Sequence, residues 1–181
     1  VRGLQRVVLV ACGTSYHAAM LGRAMIEQFA RMPAEIDLGS EFRYRDALVG
    51  PETLVVAISQ SGETADTLGA VKGAKQKGCP VLAITSVVGS ALAREATGTL
   101  YTHAGPEIGV ASTKAFTTQI VAHYLMALRL GLARGRLARA EARRLVQDLI
   151  KLPRLVERTL LLDEAVRAVA QKYQHATNFL F

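Results

Sequence analysis

The sequence predicts an α/β fold: a three-layer αβα sandwich with a five-stranded, mainly parallel sheet, followed by C-terminal helices. Short apolar segments alternate with helical ones over residues 6–103. The apolar segments are nearly continuous in Val, Leu and Ile, which is typical of strands that helices cover on both faces. Hydroxyl-rich turns follow some of these segments, as expected at the ligand-binding edge of such a sheet.

The strands are predicted from the apolar segments and the helices from the stretches between them. The five strands are Arg6–Ala11, Ala34–Leu38, Thr53–Ile58, Cys79–Thr85 and the weaker Thr97–His103. The helices are Tyr16–Ala30, Ser40–Arg45, Glu63–Lys77 and Ser90–Ala96. Each helix can carry the chain back to the start of the next parallel strand.

The remainder of the chain is predicted to be helical. Apolar side chains recur every fourth position at 116, 120 and 124, and Ser112 is placed to cap their helix. The glycines at 131 and 135 are expected to end it. An arginine-rich helix is expected to run to about Leu152, and Pro153 to open another helix through Lys172. Residues 178–181 are predicted to begin a new strand.

Composition excludes several classes of protein. No apolar run approaches the roughly 18 residues of a membrane span, and the N-terminus has no signal-peptide pattern. Cys12 and Cys79 are the only cysteines and have no metal or redox spacing, so a cytoplasmic protein without a metal site is expected. The missing initiator Met suggests a piece of a longer chain.

The net charge is +7, and six of the arginines lie close together, at positions 129, 134, 136, 139, 143 and 144. They lie among alanines and leucines with few aromatic residues, which is typical of a solvated helix rather than a nucleic-acid-binding surface. Neither nucleic acid nor a membrane is therefore expected as a partner. A positive field can instead steer an anionic substrate toward the protein.

The turn after the third strand is the strongest candidate site. Ser59, Gln60 and Ser61 precede Gly62, and Thr64 lies in the first turn of the predicted helix. The first turn of a helix has unpaired N–H groups and a partial positive charge, so three hydroxyls and an amide placed there suit a phosphate. Helix capping alone is the structural alternative. Four polar donors at the C-terminal end of a buried strand favour the anion site.

Two nucleotide classes are excluded by motif. No Gly-Lys-Ser/Thr accompanies the turn, which argues against a Walker loop, and no G-x-G-x-x-G follows a strand, which argues against a dinucleotide. A small phosphorylated metabolite is expected, with no cofactor. Two further loops at strand ends, residues 11–15 and 104–112, are predicted to converge on the same crevice.

Four segments resemble the sugar isomerase (SIS) domain family. They are Cys-Gly-Thr-Ser-Tyr-His at 12–17, Ser-Glu-Phe-Arg-Tyr-Arg at 40–45, Ser-Gln-Ser-Gly-Glu-Thr at 59–64 and Glu-Ile-Gly-Val-Ala-Ser-Thr-Lys-Ala-Phe-Thr-Thr-Gln at 107–119. More narrowly, they are similar to the first of two SIS domains in the isomerising glutamine-fructose-6-phosphate aminotransferases. The resemblance implies one SIS domain over residues 1–175 and the start of a truncated second one at 176–181.

The resemblance also implies roles for single residues. It implies that the sugar phosphate is held by Ser59, Gln60, Ser61 and Thr64, that the sugar is contacted by Thr14 and Ser15, and that the pocket is lined by Val110 and Ser112. It implies no catalytic residue here, because the family's proton-shuttling glutamate, ring-opening histidine and Schiff-base lysine lie in the second SIS domain, its tail or a neighbouring subunit. Cys12 is not the glutaminase nucleophile, since it lies inside a strand–loop–helix unit.

The family adds glutamine-derived ammonia to fructose 6-phosphate and isomerises the product to glucosamine 6-phosphate. This chain is accordingly expected to bind either sugar phosphate, to be inactive alone, and to act with a second SIS domain and a glutaminase domain in a homodimer. Two alternatives stay open. One is the non-enzymatic sugar-phosphate sensor of a regulator, and the other is a self-sufficient isomerase with catalytic groups supplied across subunit contacts.

Several other polar side chains keep more than one interpretation. His17 is either a sugar contact or a packing or surface residue, and Lys114 is either a salt-bridge partner or an anion contact. Glu63 is expected to point away from a phosphate, which it would repel, and to favour the N-terminus of its own predicted helix. Glu107 could act on protons, and His123 is expected to be structural.

Overall fold

Five short parallel strands form the centre of the fold. The computed structural model describes residues 3–109 and 111–179. The strands are β1 (Arg6–Ala11), β2 (Ala34–Leu38), β3 (Thr53–Ile58), β4 (Val81–Thr85) and β5 (Gly98–Tyr101). Their spatial order is β2-β1-β3-β4-β5, and all four pairings are parallel.

Helices follow every strand within the described residues. They are α1 (Thr14–Met25), a π-helix (Ile26–Ala30), α2 (Gly39–Tyr44), α3 (Ala65–Gln76), α4 (Ala91–Glu95), α5 (Lys114–Ala133), α6 (Arg139–Ile150), α7 (Leu152–Leu160) and α8 (Asp163–Tyr173). The π-helix and α5 pack with α1, and α3 packs with α2 and α4. No described helix has the length and apolar character needed to cross a membrane.

Two apolar cores lie on opposite faces of the sheet. One joins the sheet to α1, the π-helix and α5, and contains Val7, Leu9, Ala11, Ala19, Ile26, Val56, Ile58, Ile84, Met126 and Ala127. The other joins it to α2, α3 and α4, and contains Val8, Val10, Phe42, Val55, Ala57, Ala70, Val71, Ala74, Val81, Ala83 and Leu92. Burying a Val, Leu or Ile side chain contributes about 1.5–3 kcal/mol. Helices therefore cover both faces, and the predicted three-layer fold is confirmed.

The chain divides into two compact units, Val1–Arg139 and Ala140–Phe181. The first contains the sheet and the helices up to α5. The second contains most of α6 together with α7 and α8, whose larger apolar side chains are exposed. Of the predicted final strand, Asn178 and Phe179 lie in no strand, and residues 180 and 181 lie outside the described residues.

Gly131 does not end a helix, contrary to the prediction. It lies inside α5. A Cβ at this position would come within 2.5 Å of the Phe29 carbonyl oxygen in the π-helix. A residue without a side chain is what permits this close approach. Gly135, with a φ of 65°, follows the end of α5 as predicted.

Arg134 differs from the other arginines of the basic stretch. Its Nε donates to the Ala30 carbonyl at 3.1 Å and its Nη1 to the Leu4 carbonyl at 3.3 Å. The five others, at 129, 136, 139, 143 and 144, are exposed as expected, but they lie on two helices and the segment between them and not on one helix. Part of the positive charge therefore holds the end of the π-helix in place.

The predicted last helix is two helices, α7 and α8. The amides of Leu161 and Leu162 donate to the carbonyls three residues earlier, at 3.3 and 3.0 Å, which tightens the chain into a turn. Asp163 and Glu164 then occupy the first turn of α8, where negative charge favours a helix N-terminus. The acidic pair therefore favours the start of a second helix after the turn.

Candidate functional site

The carboxyl ends of β1 and β3 lie side by side in the sheet. Ala11 pairs in register with Ile58, so the loops that begin at Cys12 and Ser59 leave the same edge. The chain runs from β1 to β2 on one side and later returns to β3 on the other. Ligands of open α/β sheets bind in the crevice at such a switch point.

The turn after β3 holds three hydroxyls, two of which are in contact. Ser59 Oγ accepts from the Gly62 amide at 3.1 Å and lies 2.8 Å from Thr64 Oγ1. Ser61 Oγ accepts from the Glu63 amide at 3.2 Å. Ser59 and Thr64 use one hydroxyl hydrogen for their own bond and retain the other, and Ser61 retains its own. The turn can therefore donate at least two hydroxyl hydrogens to an acceptor.

None of these hydroxyls caps α3. Thr64 occupies the N-cap position with extended backbone, yet its side chain makes no capping bond and contacts Ser59 instead. The first intrahelical bond runs from the Leu68 amide to the Thr64 carbonyl at 3.0 Å. The first-turn amides of α3 thus have no side-chain acceptor from this residue, which is the arrangement an anion site requires.

The backbone of the turn is held by the residue after β4 and by α4. The Gln60 carbonyl accepts from the Ser86 amide at 3.1 Å, and the Gly62 carbonyl accepts from the Leu92 amide at 2.9 Å. Gly62 has a φ of 69°, and a Cβ there would come within 2.5 Å of Ser90 Cβ. Only glycine fits this position without strain. Gln60 itself is half-buried.

Glu63 contacts the N-terminus of α4 and not that of the helix after its own turn, contrary to the prediction. Its Oε1 accepts from the Ala91 amide at 2.8 Å. Ser90 Oγ accepts from the Ala93 amide of the same helix at 3.4 Å. The Glu63 carboxylate therefore stabilises the start of α4, and its charge is engaged there.

The first loop places Thr14 and Ser15 in the first turn of α1. Gly13 precedes them with a φ of 57°, a backbone conformation that glycine adopts readily. Thr14 is half-buried, and Ser15 is 8% exposed. Ser15 Oγ accepts from Gln119 Nε2 at 3.0 Å. A hydrogen bond therefore joins this loop to α5.

The third loop contradicts the prediction that Ser112 caps α5. Its φ is 45°, and its hydroxyl donates to Glu107 Oε2 at 3.4 Å instead of capping α5. The same carboxylate oxygen accepts from the Thr113 amide at 3.2 Å and from the Ala115 amide at 3.1 Å. Glu107 is the cap of α5. A preceding acid that folds back onto the helix start cannot be recognised from local spacing.

These contacts hold the pKa of Glu107 below its usual range. The largest cause is the hydrogen bond from the Ala115 amide, and the amide of Thr113 and the charge of Lys114 add to it. Glu107 is accordingly a poor base. Val110, the remaining predicted pocket residue, lies outside the described residues.

The histidines near these loops differ in environment. His17 is exposed, with its ring edge-on to Tyr16 at 6.0 Å between centroids. His123 is fully buried, and its Nδ1 donates to the Gln119 carbonyl at 2.7 Å. Burial lowers the pKa of His123 to about 4. The expectation that His123 is structural agrees with this packing.

The sequence analysis did not single out Gln119 as a residue that contacts the candidate site. It is 2% exposed and follows Ala115 by four positions, as His123 follows it, so all three share the buried face of α5. Two polar residues at helical spacing on an apolar face were the available signal. Among residues 3–109 and 111–179, no group of three or more His, Cys, Asp or Glu is placed to hold a metal ion.

Comparison with known proteins gives consistent matches. Residues 2–129 match the SIS domain model. A glutamine–fructose-6-phosphate aminotransferase [isomerizing] of Symbiobacterium thermophilum is 55% identical over 171 residues, covering 94% of this chain and 28% of that protein. A protein of that name from Thermus thermophilus is 50% identical over 180 residues, covering 99% of this chain and 30% of that protein.

A solved structure agrees with these matches. The C-terminal domain of glucosamine-fructose-6-phosphate aminotransferase from Francisella tularensis superposes with a TM-score of 0.92 at 38% identity, covering 96% of this chain and 49% of that chain. This chain spans less than a third of the two curated relatives. With the parallel sheet, the hydroxyl-rich turn after β3 and the match over residues 2–129 in agreement, the chain belongs to the SIS domain family.

Proposed function

We propose that this chain is the sugar-phosphate-binding SIS domain of an isomerising glutamine-fructose-6-phosphate aminotransferase. Its ligand is fructose 6-phosphate or the product, glucosamine 6-phosphate. One observation carries the proposal: the turn between β3 and α3, beside the switch point between β1 and β3, holds the hydroxyls of Ser59, Ser61 and Thr64, and none of them caps α3. The relatives that bear this enzyme name support the choice of substrate.

The phosphate binds at the turn after β3. Hydroxyls of Ser61 and Thr64, the Gln60 amide and the first-turn amides of α3 donate to its oxygens. Each hydrogen bond to a charged group contributes about 1.5–3 kcal/mol, and the positive end of the helix adds to them. The sugar then extends toward the first loop, where Thr14 and Ser15 contact it.

The remaining pocket wall comes from the third loop. Val110 and Ser112 line it in this proposal, and Glu107 keeps the loop attached to the start of α5 through the amides of Thr113 and Ala115. These residues shape the pocket. They do not transfer protons.

Chemistry is assigned to the rest of a longer enzyme. Isomerisation needs a general base whose pKa lies near the working pH. The two carboxylates on these loops are engaged, Glu63 by the Ala91 amide and Glu107 by the amides of Thr113 and Ala115, and Asp66 in the first turn of α3 is paired with Arg43 at 3.2 Å. The proton-transferring groups are therefore proposed to come from a second SIS domain, and the ammonia from a glutaminase domain, in a cytoplasmic homodimer.

The phosphate site is tested with the double variant Ser61→Ala, Thr64→Ala and a thermal-shift titration. Fructose 6-phosphate at 100 times its Kd should stabilise the wild-type chain by about 2.7 kcal/mol. Loss of two bonds of about 1.5 kcal/mol each raises Kd more than 100-fold. The ligand-induced stabilisation should then fall below about 0.5 kcal/mol.

The matched control is Thr159→Ala. Thr159 is exposed on α7, and its hydroxyl donates within that helix to the Leu155 carbonyl at 2.9 Å. This variant also loses a hydroxyl, but it should keep the full ligand-induced shift. An unchanged shift in the double variant would remove Ser61 and Thr64 from the site.

A further inference from the structure

Gln119 is a buried polar side chain that bonds to a proposed sugar contact. Gln119 is 2% exposed and lies in the second turn of α5. Its Nε2 donates to Ser15 Oγ at 3.0 Å, across 104 residues of sequence. Ser15 is 8% exposed, at the start of α1. The amide therefore determines which lone pair of the Ser15 hydroxyl is occupied.

The occupied lone pair restricts what Ser15 can offer to a ligand. A serine hydroxyl has one hydrogen and two acceptor lone pairs. Because Gln119 supplies a hydrogen to one lone pair, the Ser15 hydroxyl hydrogen must point elsewhere. Ser15 is thereby prepared as a donor toward the oxygen atoms of a bound sugar.

The Gln119 backbone is itself held against α1. Its carbonyl accepts from His123 Nδ1 at 2.7 Å, one turn along α5. The His123 ring packs against Gly22 of α1, where a Cβ would come within 2.7 Å of the ring Cγ. The Gln119 backbone is therefore held in place by His123, and its side chain bonds to Ser15.

Packing alone does not account for an amide at this position. Among the described residues, Gln119 Oε1 is buried and has no hydrogen-bond partner. An unpaired buried carbonyl destabilises a protein, whereas an apolar side chain of similar size would fill the same space without that penalty. The interaction that distinguishes glutamine here is the bond to Ser15.

We propose that Gln119 is a positioning residue that orients the Ser15 hydroxyl as a hydrogen-bond donor to the sugar phosphate. The inference rests on the proposed function and adds a residue that acts through Ser15 without touching the ligand. It also links the sugar contact to α5, whose start is capped by Glu107.

The first test is Gln119→Glu, with fructose 6-phosphate binding measured by calorimetry between pH 5.5 and 8. A carboxylate of the same shape cannot donate, so it captures the Ser15 hydrogen. The protonated carboxyl can donate as the amide does. The ratio of the variant Kd to the wild-type Kd should be about 10 at pH 8 and should approach 1 as the pH falls. Taking the ratio at each pH cancels the titration of the phosphate itself.

The second test is a double-mutant cycle with Gln119→Met and Ser15→Ala, which does not depend on a buried acid. Gln119→Met should raise Kd about tenfold in the wild-type background and leave it unchanged in the Ser15→Ala background. The control, Gln76→Met, replaces an exposed glutamine at the end of α3 and should leave Kd unchanged. Circular dichroism of each variant verifies that it is folded.

Two outcomes overturn the inference: a Kd ratio that does not change with pH, or effects of Gln119→Met and Ser15→Ala that multiply. Failure of the proposed function is recognised separately. In that case the wild-type chain does not bind fructose 6-phosphate, or it binds equally well with Ser61 and Thr64 replaced. Binding that needs Ser61 and Thr64 but ignores Gln119 rejects only the role of Gln119.

Discussion

Ser15, Ser59 and Ser61, at the carboxyl edge of the sheet, share one property. Each Oγ accepts a hydrogen from the protein, from Gln119 Nε2, the Gly62 amide and the Glu63 amide respectively. Accepting a bond does not use the hydroxyl hydrogen, so Ser15 and Ser61 keep theirs to give, and Ser59 and Thr64 keep one between them after their own bond. The carboxylates of the same loops are turned onto backbone amides. The edge therefore offers donors, which suits an anionic, oxygen-rich ligand.

His123 makes stability depend on pH at the scale of one residue. Its folded pKa of about 4 lies below the usual 6.5, so its contribution is complete above pH 6.5 and is lost as the pH falls toward 4. At pH 5 the His123 ring is protonated in the unfolded chain but largely neutral in the folded chain, which lowers the free energy of unfolding by about 2 kcal/mol. Urea unfolding at pH 7 and pH 5 measures this loss.

The variant His123→Gln should flatten that dependence, because the titrating group is gone. His17→Gln is the control: it removes an exposed histidine and should keep the wild-type difference between pH 7 and pH 5. Equal losses in wild type and His123→Gln would show that the folded protein accommodates a charged ring at 123.

The geometry of the candidate site was predictable where it depends on residues close together in the sequence. Ser59, Ser61 and Thr64 lie within six positions; the hydroxyls of Ser59 and Thr64 meet just before α3, and the Ser61 hydroxyl accepts from the Glu63 amide in the same turn. The Gln119–Ser15 bond spans 104 positions, and no local pattern indicates such a pair. The assignment of the cap to Ser112 was wrong for a related reason, since the capping carboxylate of Glu107 approaches through the fold of its loop.

At the scale of elements, the strands were predicted better than the helix ends. β1, β2 and β3 have the predicted bounds because continuous apolar segments leave few alternatives to a buried strand. The predicted helix Tyr16–Ala30 instead changes to a π-helix at Ile26. Arg134, far along the chain, donates to the Ala30 carbonyl at its end, and Gly131 lets α5 approach. Such tertiary contacts are invisible to local periodicity.

The contact between α1 and α5 is tested by Gly22→Ala. A new Cβ would come within 2.7 Å of the buried His123 ring, so the two helices must move apart. Overpacking of this kind costs about 1–3 kcal/mol. The free energy of unfolding, measured in urea, should fall by that amount.

Gly73→Ala is the matched control for Gly22→Ala. Gly73 is also inside a helix, α3, but a Cβ there meets nothing within 4 Å. Removing its unfolded-state freedom should stabilise the chain by about 0.4–1 kcal/mol. If both variants changed stability in the same direction and by the same amount, close packing at Gly22 would not be the cause.

At the scale of the whole molecule, the proposed function separates binding from chemistry. The described loops gather hydroxyls and helix amides on one sheet edge. The carboxylates of Glu63, Asp66 and Glu107 each already have a partner. The chain covers 28% and 30% of two relatives named as aminotransferases. A division in which this unit holds the phosphate and other units move protons explains both observations within the proposed function.

This division predicts binding without turnover. The isolated chain, supplied with fructose 6-phosphate and ammonia, should form no glucosamine 6-phosphate measurable by mass spectrometry, because its loop carboxylates are engaged and Glu107 is a weak base. Calorimetry on the same sample establishes that the sugar phosphate is bound, and a full-length aminotransferase serves as the positive control. Product formed by the chain would refute the division. If light scattering then showed an oligomer, catalytic groups supplied between copies would explain the activity.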